Sequence, residues 1–370
     1  MAVKRKTIVF SGINLFEGGP LSVYYDCLDA FRKMKMYQKF RLVAFVYKKE
    51  LFQAYEDIAM LVELPAGRKN YLFRLYYEYI YFRAYSNRHP IALWLSLHDI
   101  TPKVRAGKLY TYCHNPSPFL KKDLSKLKYS VKNTAFVFFY RYLYRINIQS
   151  ADAVIVQQDW MRREFYKMFP VKNVIVASPK IQISYRFQDL HTGNARKVFF
   201  YPAYPRYFKN YEVLLKACEV LEAKGFDQFW VWITIHGNEN PYAAALRKTY
   251  GSLRTVKWLG IQTREAVFRL YDQADCLIFP SLMETWGLPV SEFQQTGKDM
   301  ILADLPYAHE TAGDYENCVF FDPEDAVLLS AKMRDVLEGR QQYDKRQRKN
   351  QRLPDADNWM QLLSLLLENI

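Results

Sequence analysis

The sequence predicts an α/β protein of two doubly wound, Rossmann-like domains facing across a cleft. Three observations carry this expectation. The 370 residues suit two domains at roughly 150 residues each. Apolar runs of four to seven residues, each bounded by turn residues, alternate with helix-like stretches, as in parallel sheets covered by helices. A polar stretch after Pro179, through Gln188, Asp189, Thr192, Gly193 and Asn194, divides the pattern into two series.

The first series has strands near 7–13, 40–46, 91–97, 109–113, 153–157 and 174–178. Strands of the second are Lys197–Tyr201, Phe229–His236, Val256–Leu259, Cys276–Pro280, Met300–Ala303 and Cys318–Phe321, with helices near 210–224, 263–273, 289–297 and 324–338. One domain is therefore expected at 1–180 and the other at 195–350. Asn358 to Ile370 carries apolar residues on one side, so 355–370 is expected to end in a helix that packs back on the first domain.

The chain is 50% hydrophobic and 24% charged, a composition that buries a core and argues against disorder. The longest apolar runs, Leu42 to Tyr47 and Ala135 to Tyr140, fall far short of the roughly 20 residues that span a bilayer. Lys4-Arg5-Lys6 precedes an apolar stretch, but Ser11, Asn14 and Glu17 interrupt it, so it reads as a first strand and not a signal peptide. Cys27, Cys113, Cys218, Cys276 and Cys318 are scattered without a C-x-x-C pair, which argues against a disulfide framework or a zinc site and fits a reducing cytoplasm.

Net charge is +14 and uneven: residues 1–180 hold 30 Lys+Arg against 13 Asp+Glu, the remainder 22 against 25. Such a field attracts phosphorylated substrates, an anionic membrane surface or nucleic acid. Two stretches, Arg68 to Arg88 and Phe119 to Ile146, interleave tyrosine with basic residues. That mixture suits a headgroup boundary, where rings are half buried and guanidinium meets phosphate. Helices that pack tyrosines into a core and leave basic residues solvated account for it equally well. Single-stranded nucleic acid is a third reading, but no nucleic-acid motif accompanies the charge, so no such partner is expected.

The most specific segment is Phe279-Pro-Ser-Leu-Met-Glu-Thr-Trp-Gly-Leu-Pro-Val-Ser-Glu292. Glu284 and Glu292 flank the turn Trp286-Gly287-Leu288-Pro289, which opens a helix with proline in its first turn. Free N–H groups at such a start suit a phosphate, and carboxylates beside it suit the hydroxyls of a sugar or ribose. This segment resembles the retaining glycosyltransferases of family 4, which have the GT-B fold. Val256-Lys-Trp-Leu-Gly260, Ala274-Asp275 and Gly297-Lys298-Asp299 fit the same pattern, and the resemblance covers most of the sequence.

The resemblance implies that Glu284 contacts the donor sugar, that Glu292 holds the ribose, and that Trp286, Gly287 and Leu288 also bind the donor. In Phe199 to Asn210 the family has an arginine and a lysine that neutralise the leaving diphosphate. Lys209 matches the lysine, whereas Arg206 stands three residues before it instead of about five. Gly18 and Gly19, after the first strand, match a loop that faces the diphosphate and acceptor. His114, after the strand near 109–113, matches a histidine that touches the donor sugar, and Gly237 begins a turn near base and ribose. Catalytic candidates are thus His114, Lys209 and Glu284. Asp355-Ala356-Asp357 imitates a metal-binding D-x-D motif but lies in a polar tail, so neither metal nor cofactor is expected.

The implied activity is transfer of a hexose-type sugar, with retention, from a nucleotide diphosphate sugar to an acceptor hydroxyl. A polyprenyl-diphosphate-linked saccharide is the expected acceptor, as in O-antigen or capsule assembly at the inner face of a bacterial membrane. That expectation joins the resemblance to the basic first domain. Alternatives are a nucleotide-sugar epimerase, a polysaccharide synthase, or a non-catalytic membrane- or nucleic-acid-binding protein of the same fold.

Overall fold

A computed structural model describes residues 5–119, 140–179, 185–188, 196–343, 354–368 and 370. Among them two all-parallel sheets form, one in each of two compact units. Described residues up to 179 and from 354 onward make the first unit, and those from 185 to 343 belong to the second.

The first sheet contains β1 (Lys6–Gly12), β2 (Phe40–Val46), β3 (Ala59–Glu63), β4 (Ile91–Ser96), β5 (Lys108–Tyr112), β6 (Ala153–Val156) and β7 (Val174–Val176), in the order β3-β2-β1-β4-β5-β6-β7. Its order reverses between β1 and β4, and open α/β sheets bind ligands outside the carboxyl ends of their strands at that point. Central strands are apolar on both faces because helices cover both: Ile8, Val9 and Phe10 are fully buried. The edge strand β3 escapes the sequence reading because Met60 and Glu63 face solvent and break its apolar run.

Helix Gly18–Lys33 buries Leu21, Tyr24, Cys27, Leu28 and Phe31, a three-and-four spacing that lines one face. Tyr24 donates its hydroxyl to the Phe10 carbonyl (3.0 Å), and its ring would stand 2.7 Å from a Cβ at Gly12, so only glycine fits that crossing. The terminal helix Trp359–Leu367 starts at Asn358, whose side chain accepts from Gln361 N (3.0 Å). It buries Leu362, Leu363 and Leu366 in the same core as Leu28 and Phe31. Each buried leucine contributes about 1.5–3 kcal/mol, which offsets the ordering of the chain end. Asp355 accepts from Val176 N (2.8 Å) and from Arg162 Nη1 (3.1 Å), which pins that end to β7.

The tyrosine-rich stretch after Arg68 is helical, as the sequence suggests, in three pieces: Tyr71–Tyr76, a π turn Tyr77–Tyr81, and Phe82–Arg88. Tyr77, Tyr81 and Tyr85 pack against the core that holds Phe45, Phe82 and Trp94, and Arg83 and Arg88 are exposed, as a tyrosine core with solvated basic residues requires, whereas Arg74 and Glu78 depart from it by being buried. Arg74 donates to the His98 carbonyl (2.6 Å) and to the Tyr140 hydroxyl (3.2 Å), and Glu78 Oε1 lies 2.9 Å from His98 Nε2. Most of the second tyrosine-rich stretch, 120–139, lies outside the described residues.

The second sheet contains β8 (Lys197–Tyr201), β9 (Phe229–Ile233), β10 (Val256–Trp258), β11 (Cys276–Phe279), β12 (Asp299–Ala303) and β13 (Cys318–Phe321), in the order β10-β9-β8-β11-β12-β13. Its switch point falls between β8 and β11. Asp275 accepts from Val198 N (2.7 Å), and Lys298 Nζ donates to the carbonyls of Asp272 (2.6 Å) and Ala274 (3.0 Å) at the end of helix Arg264–Gln273. Among the described residues no helix is long and apolar enough to cross a membrane.

Candidate functional site

The loops that leave β8 and β11 meet at the switch point of the second sheet. After β8, Tyr207–Lys209 makes a single 3-10 turn, and Asn210 follows in a left-handed conformation (φ 55°). Asparagine tolerates that conformation, and its Nδ2 donates to the carbonyls of Pro280 (3.2 Å) and Pro323 (2.8 Å). After β11, Leu282 N donates to the Phe208 carbonyl (2.7 Å), which zips the two loops together. The result is a contact between Lys209 Nζ and Glu284 Oε1. Their side chains are only 17% and 15% exposed, so the pair is shielded from bulk screening, although an open edge remains. Lys209 is also fixed at its backbone, where its carbonyl accepts from Tyr201 Oη (2.8 Å).

Beyond Glu284 the chain turns at Gly287, with φ 87°, into the six-residue helix Leu288–Phe293. A side chain is disfavoured there by the backbone, since a Cβ would meet only ordinary contacts, 3.6 Å from Phe279 and 3.7 Å from Tyr307. Trp286 closes the turn by donating Nε1 to Ser291 Oγ (2.9 Å), and its carbonyl accepts from Thr311. Val290 N already bonds to the Gly287 carbonyl (2.9 Å), so that N–H is engaged within the turn. Leu288 is exposed.

Glu292 is buried on that short helix. One carboxylate oxygen accepts from Arg264 Nη2 (3.1 Å), the other from Tyr271 Oη (3.1 Å). Burial pushes its carboxyl above the ordinary carboxylate range, with Arg264 and the Tyr271 hydroxyl pulling in the opposite direction. A carboxylate accepts about four hydrogen bonds, so two acceptor positions remain for a ligand. Arg264 and Tyr271 were not singled out in the sequence. They stand seven residues apart on helix Arg264–Gln273, two turns along one face, and that spacing was the available signal.

Two further candidates lie apart from this pair. Arg206 is exposed at the start of the 3-10 turn, 5.9 Å from the ring centres of Tyr204 and Phe208, and makes no contact with Glu284. Gly237 (φ 113°) follows β9, and a Cβ there would stand 2.6 Å from Arg247 Cβ, so the turn requires glycine. Glu239 closes the same turn by accepting from His236 N (2.5 Å) and Gly237 N (2.9 Å). Burial raises its carboxyl, but those backbone donors outweigh it and hold the group below its ordinary value.

In the first unit, Gly18 (φ 65°) and Gly19 are exposed at the start of helix Gly18–Lys33. That start has no side-chain cap and no acidic residue in its first turn. His114 follows β5, its Nε2 2.6 Å from the Leu97 carbonyl. Burial lowers its pKa, and Asp99 and the Leu97 carbonyl oppose the shift. Asp99, left-handed at φ 72°, sets this loop: its Oδ1 accepts from His114 N (2.7 Å), Asn115 N (3.1 Å) and Tyr144 Oη (3.0 Å). Asp355 is occupied by its structural bonds to β7 and Arg162. Among the described residues no group of three or more His, Cys, Asp or Glu is arranged to hold a metal ion.

Residues 182–353 match the family model for Glycosyl transferases group 1. Over 90% of both chains, the structure superposes on sucrose-phosphate synthase from Thermosynechococcus elongatus with a TM-score of 0.65 at 14% identity. WaaG, a glycosyltransferase involved in lipopolysaccharide biosynthesis, gives 0.60 at 13% identity over 88% of this chain and 90% of its own. HepE of Anabaena, solved in complex with UDP-glucose, gives 0.55 at 15% identity over 90% of each chain. No curated protein sequence matches the chain significantly. The protein therefore has the GT-B fold, and its second unit carries a glycosyl transferases group 1 domain.

Proposed function

We propose that this protein is a retaining, metal-independent glycosyltransferase of family 4 that moves a hexose-type sugar from a nucleotide diphosphate sugar to an acceptor hydroxyl. The observation that carries the reading is the Lys209–Glu284 pair at the switch point, inside the segment that matches the family model. A cation held beside a carboxylate can do two tasks on one substrate. Lys209 neutralises the charge that grows on the diphosphate as the glycosidic bond breaks, and Glu284 accepts hydrogen bonds from the sugar hydroxyls. Glu292, steadied by Arg264 and Tyr271, offers its remaining acceptor positions to the ribose.

No carboxylate serves as nucleophile in this reading. The acceptor attacks on the face the diphosphate leaves, and the departing phosphate takes its proton. Arg206 is a peripheral cation for the diphosphate. The acceptor is a polyprenyl-diphosphate-linked saccharide of O-antigen or capsule assembly, reached from the cytoplasmic face of the membrane. The excess of Lys+Arg in residues 1–180 supports that choice, since the acceptor and its bilayer are both anionic.

The test is product stereochemistry. A nucleotide α-hexose and a polyprenyl-diphosphate saccharide are incubated with the protein in EDTA, and the new linkage is read by proton NMR. An α linkage formed in EDTA is expected; a β linkage, or turnover that requires added metal, would sink the retaining, metal-free assignment.

A further inference from the structure

We infer that the exposed face of Tyr71–Arg88, together with residues 140–146, docks this protein on an anionic bilayer surface through inserted apolar side chains and an arginine rim. The inference deepens the proposed membrane-linked acceptor but stands on observations of its own. Residues 71–80 of this stretch are inside out. On a helix of a water-exposed protein, arginine and glutamate face solvent while leucine and isoleucine face the core. Here Arg74 and Glu78 are buried, and Leu72 and Ile80 are 76% and 59% exposed, with Phe73 and Tyr76 exposed beside them. Leu72, Tyr76 and Ile80 recur every fourth residue, which makes one stripe.

That orientation is fixed from below. Burying a guanidinium and a carboxylate is costly unless each finds partners. Arg74 finds the His98 carbonyl and the Tyr140 hydroxyl, and Glu78 lies against His98. Leu75 and Tyr79 pack with Ile100, Tyr140 and Leu143, so residues 140–146 are the immediate neighbours of the stripe. They add Tyr142, 67% exposed, and Ile146.

Charge selects the occupant. Glu78 is the sole carboxylate in Tyr71–Arg88 and is fully buried, and residues 140–146 contain none. The exposed charges, Arg83, Arg88 and Arg145, are all positive. Apolar and tyrosine side chains bordered by arginine, with no exposed acid among them, match the boundary between acyl chains and anionic headgroups.

Vesicle sedimentation of the full chain tests this, using phosphatidylcholine vesicles with and without phosphatidylglycerol. Wild type is expected to sediment with the anionic vesicles only, and less so as salt rises. The double variant Leu72→Glu/Ile80→Glu should lower the partition coefficient about tenfold or more. Arg83→Gln and Arg145→Gln should each lower it about fivefold, the equivalent of roughly 1 kcal/mol per basic residue near such a surface. An unchanged melting temperature certifies that each variant folds, and the arginine variants carry the test if the glutamates disturb packing. Failure of wild type to bind, equal binding to both vesicles, or folded variants that bind like wild type would overturn the inference and leave the face to an acidic protein surface. Neither vesicle carries acceptor or donor, so the outcome is independent of whether sugar is transferred.

Discussion

Replacing Glu284 with glutamine should tighten the binding of a nucleoside diphosphate while slowing sugar transfer. In the free protein the Lys209 ammonium is held by Glu284, with both side chains mostly buried. Two unit charges 4 Å apart at an effective dielectric of about 20 attract by roughly 4 kcal/mol, and desolvation reduces the net worth of such a charged hydrogen bond to about 1.5–3 kcal/mol. An incoming diphosphate competes for that ammonium and brings its own negative charge beside the carboxylate. Glutamine keeps the shape and removes the competition. The dissociation constant for the diphosphate should fall about tenfold, or 1.4 kcal/mol, which is part of the released pair energy. Transfer should slow roughly ten- to a hundredfold, because a neutral amide accepts the sugar hydroxyls less strongly. Titration calorimetry with the nucleoside diphosphate that most raises the melting temperature reads the first effect, and product release from the matching nucleotide sugar reads the second. Weaker diphosphate binding in a folded Glu284→Gln protein would refute the idea that Lys209 is the diphosphate ligand held in reserve.

Lys209→Ala should lower kcat/KM about 10²–10³-fold, and a change under tenfold in steady-state assays would remove it from the leaving-group site. Glu292 has a native pKa above its ordinary 4.5, so nucleotide affinity should fall as pH drops through that raised value. Glu292→Gln should abolish this pH dependence. The same shift makes wild type most stable relative to Glu292→Gln below pH 4.5, an advantage lost as pH rises through the native value, and paired thermal melts across pH check the sign. Asp99→Ala removes three hydrogen bonds to the His114 loop and leaves alanine at a positive φ. It should cost about 2–4 kcal/mol in urea unfolding, whereas Asp99→Asn, which keeps an acceptor and tolerates that φ, should cost about 1 kcal/mol. Gly287→Ala, at φ 87°, should destabilise by about 1–2 kcal/mol, and a neutral melt would contradict a strained turn.

The order of elements was legible because period and punctuation agree in this chain. Phe199 and Phe200, or Leu277 and Ile278, sit in short apolar runs closed by proline, and each became a buried central strand. β3 was not legible, since an edge strand with one wet face offers no continuous run. The turn that Glu284 and Glu292 flank pointed to a ligand site at a helix start, but the partners of the two glutamates did not follow from the motif. Lys209 reaches Glu284 from 75 residues away, and Arg264 reaches Glu292 from 28, contacts created by parallel strand order and absent from any local pattern. Ala274-Asp275 and Gly297-Lys298-Asp299 resemble the family for reasons of packing: Asp275 and Lys298 tie β8 and a helix end in place. The inward turn of Arg74 and Glu78 was equally hidden, because composition alone gives a tyrosine-arginine helix no preferred face.

The most direct test of a metal-free nucleotide-sugar site in the second unit is the melting temperature of wild type and Glu292→Ala against UDP, GDP, ADP, CMP and dTDP with EDTA throughout. One nucleotide near a hundred times its dissociation constant should stabilise wild type by about 2.7 kcal/mol and leave Glu292→Ala little changed. No shift with any of them, or an equal shift in both proteins, would contradict the assignment of Glu292 and the donor site built around it.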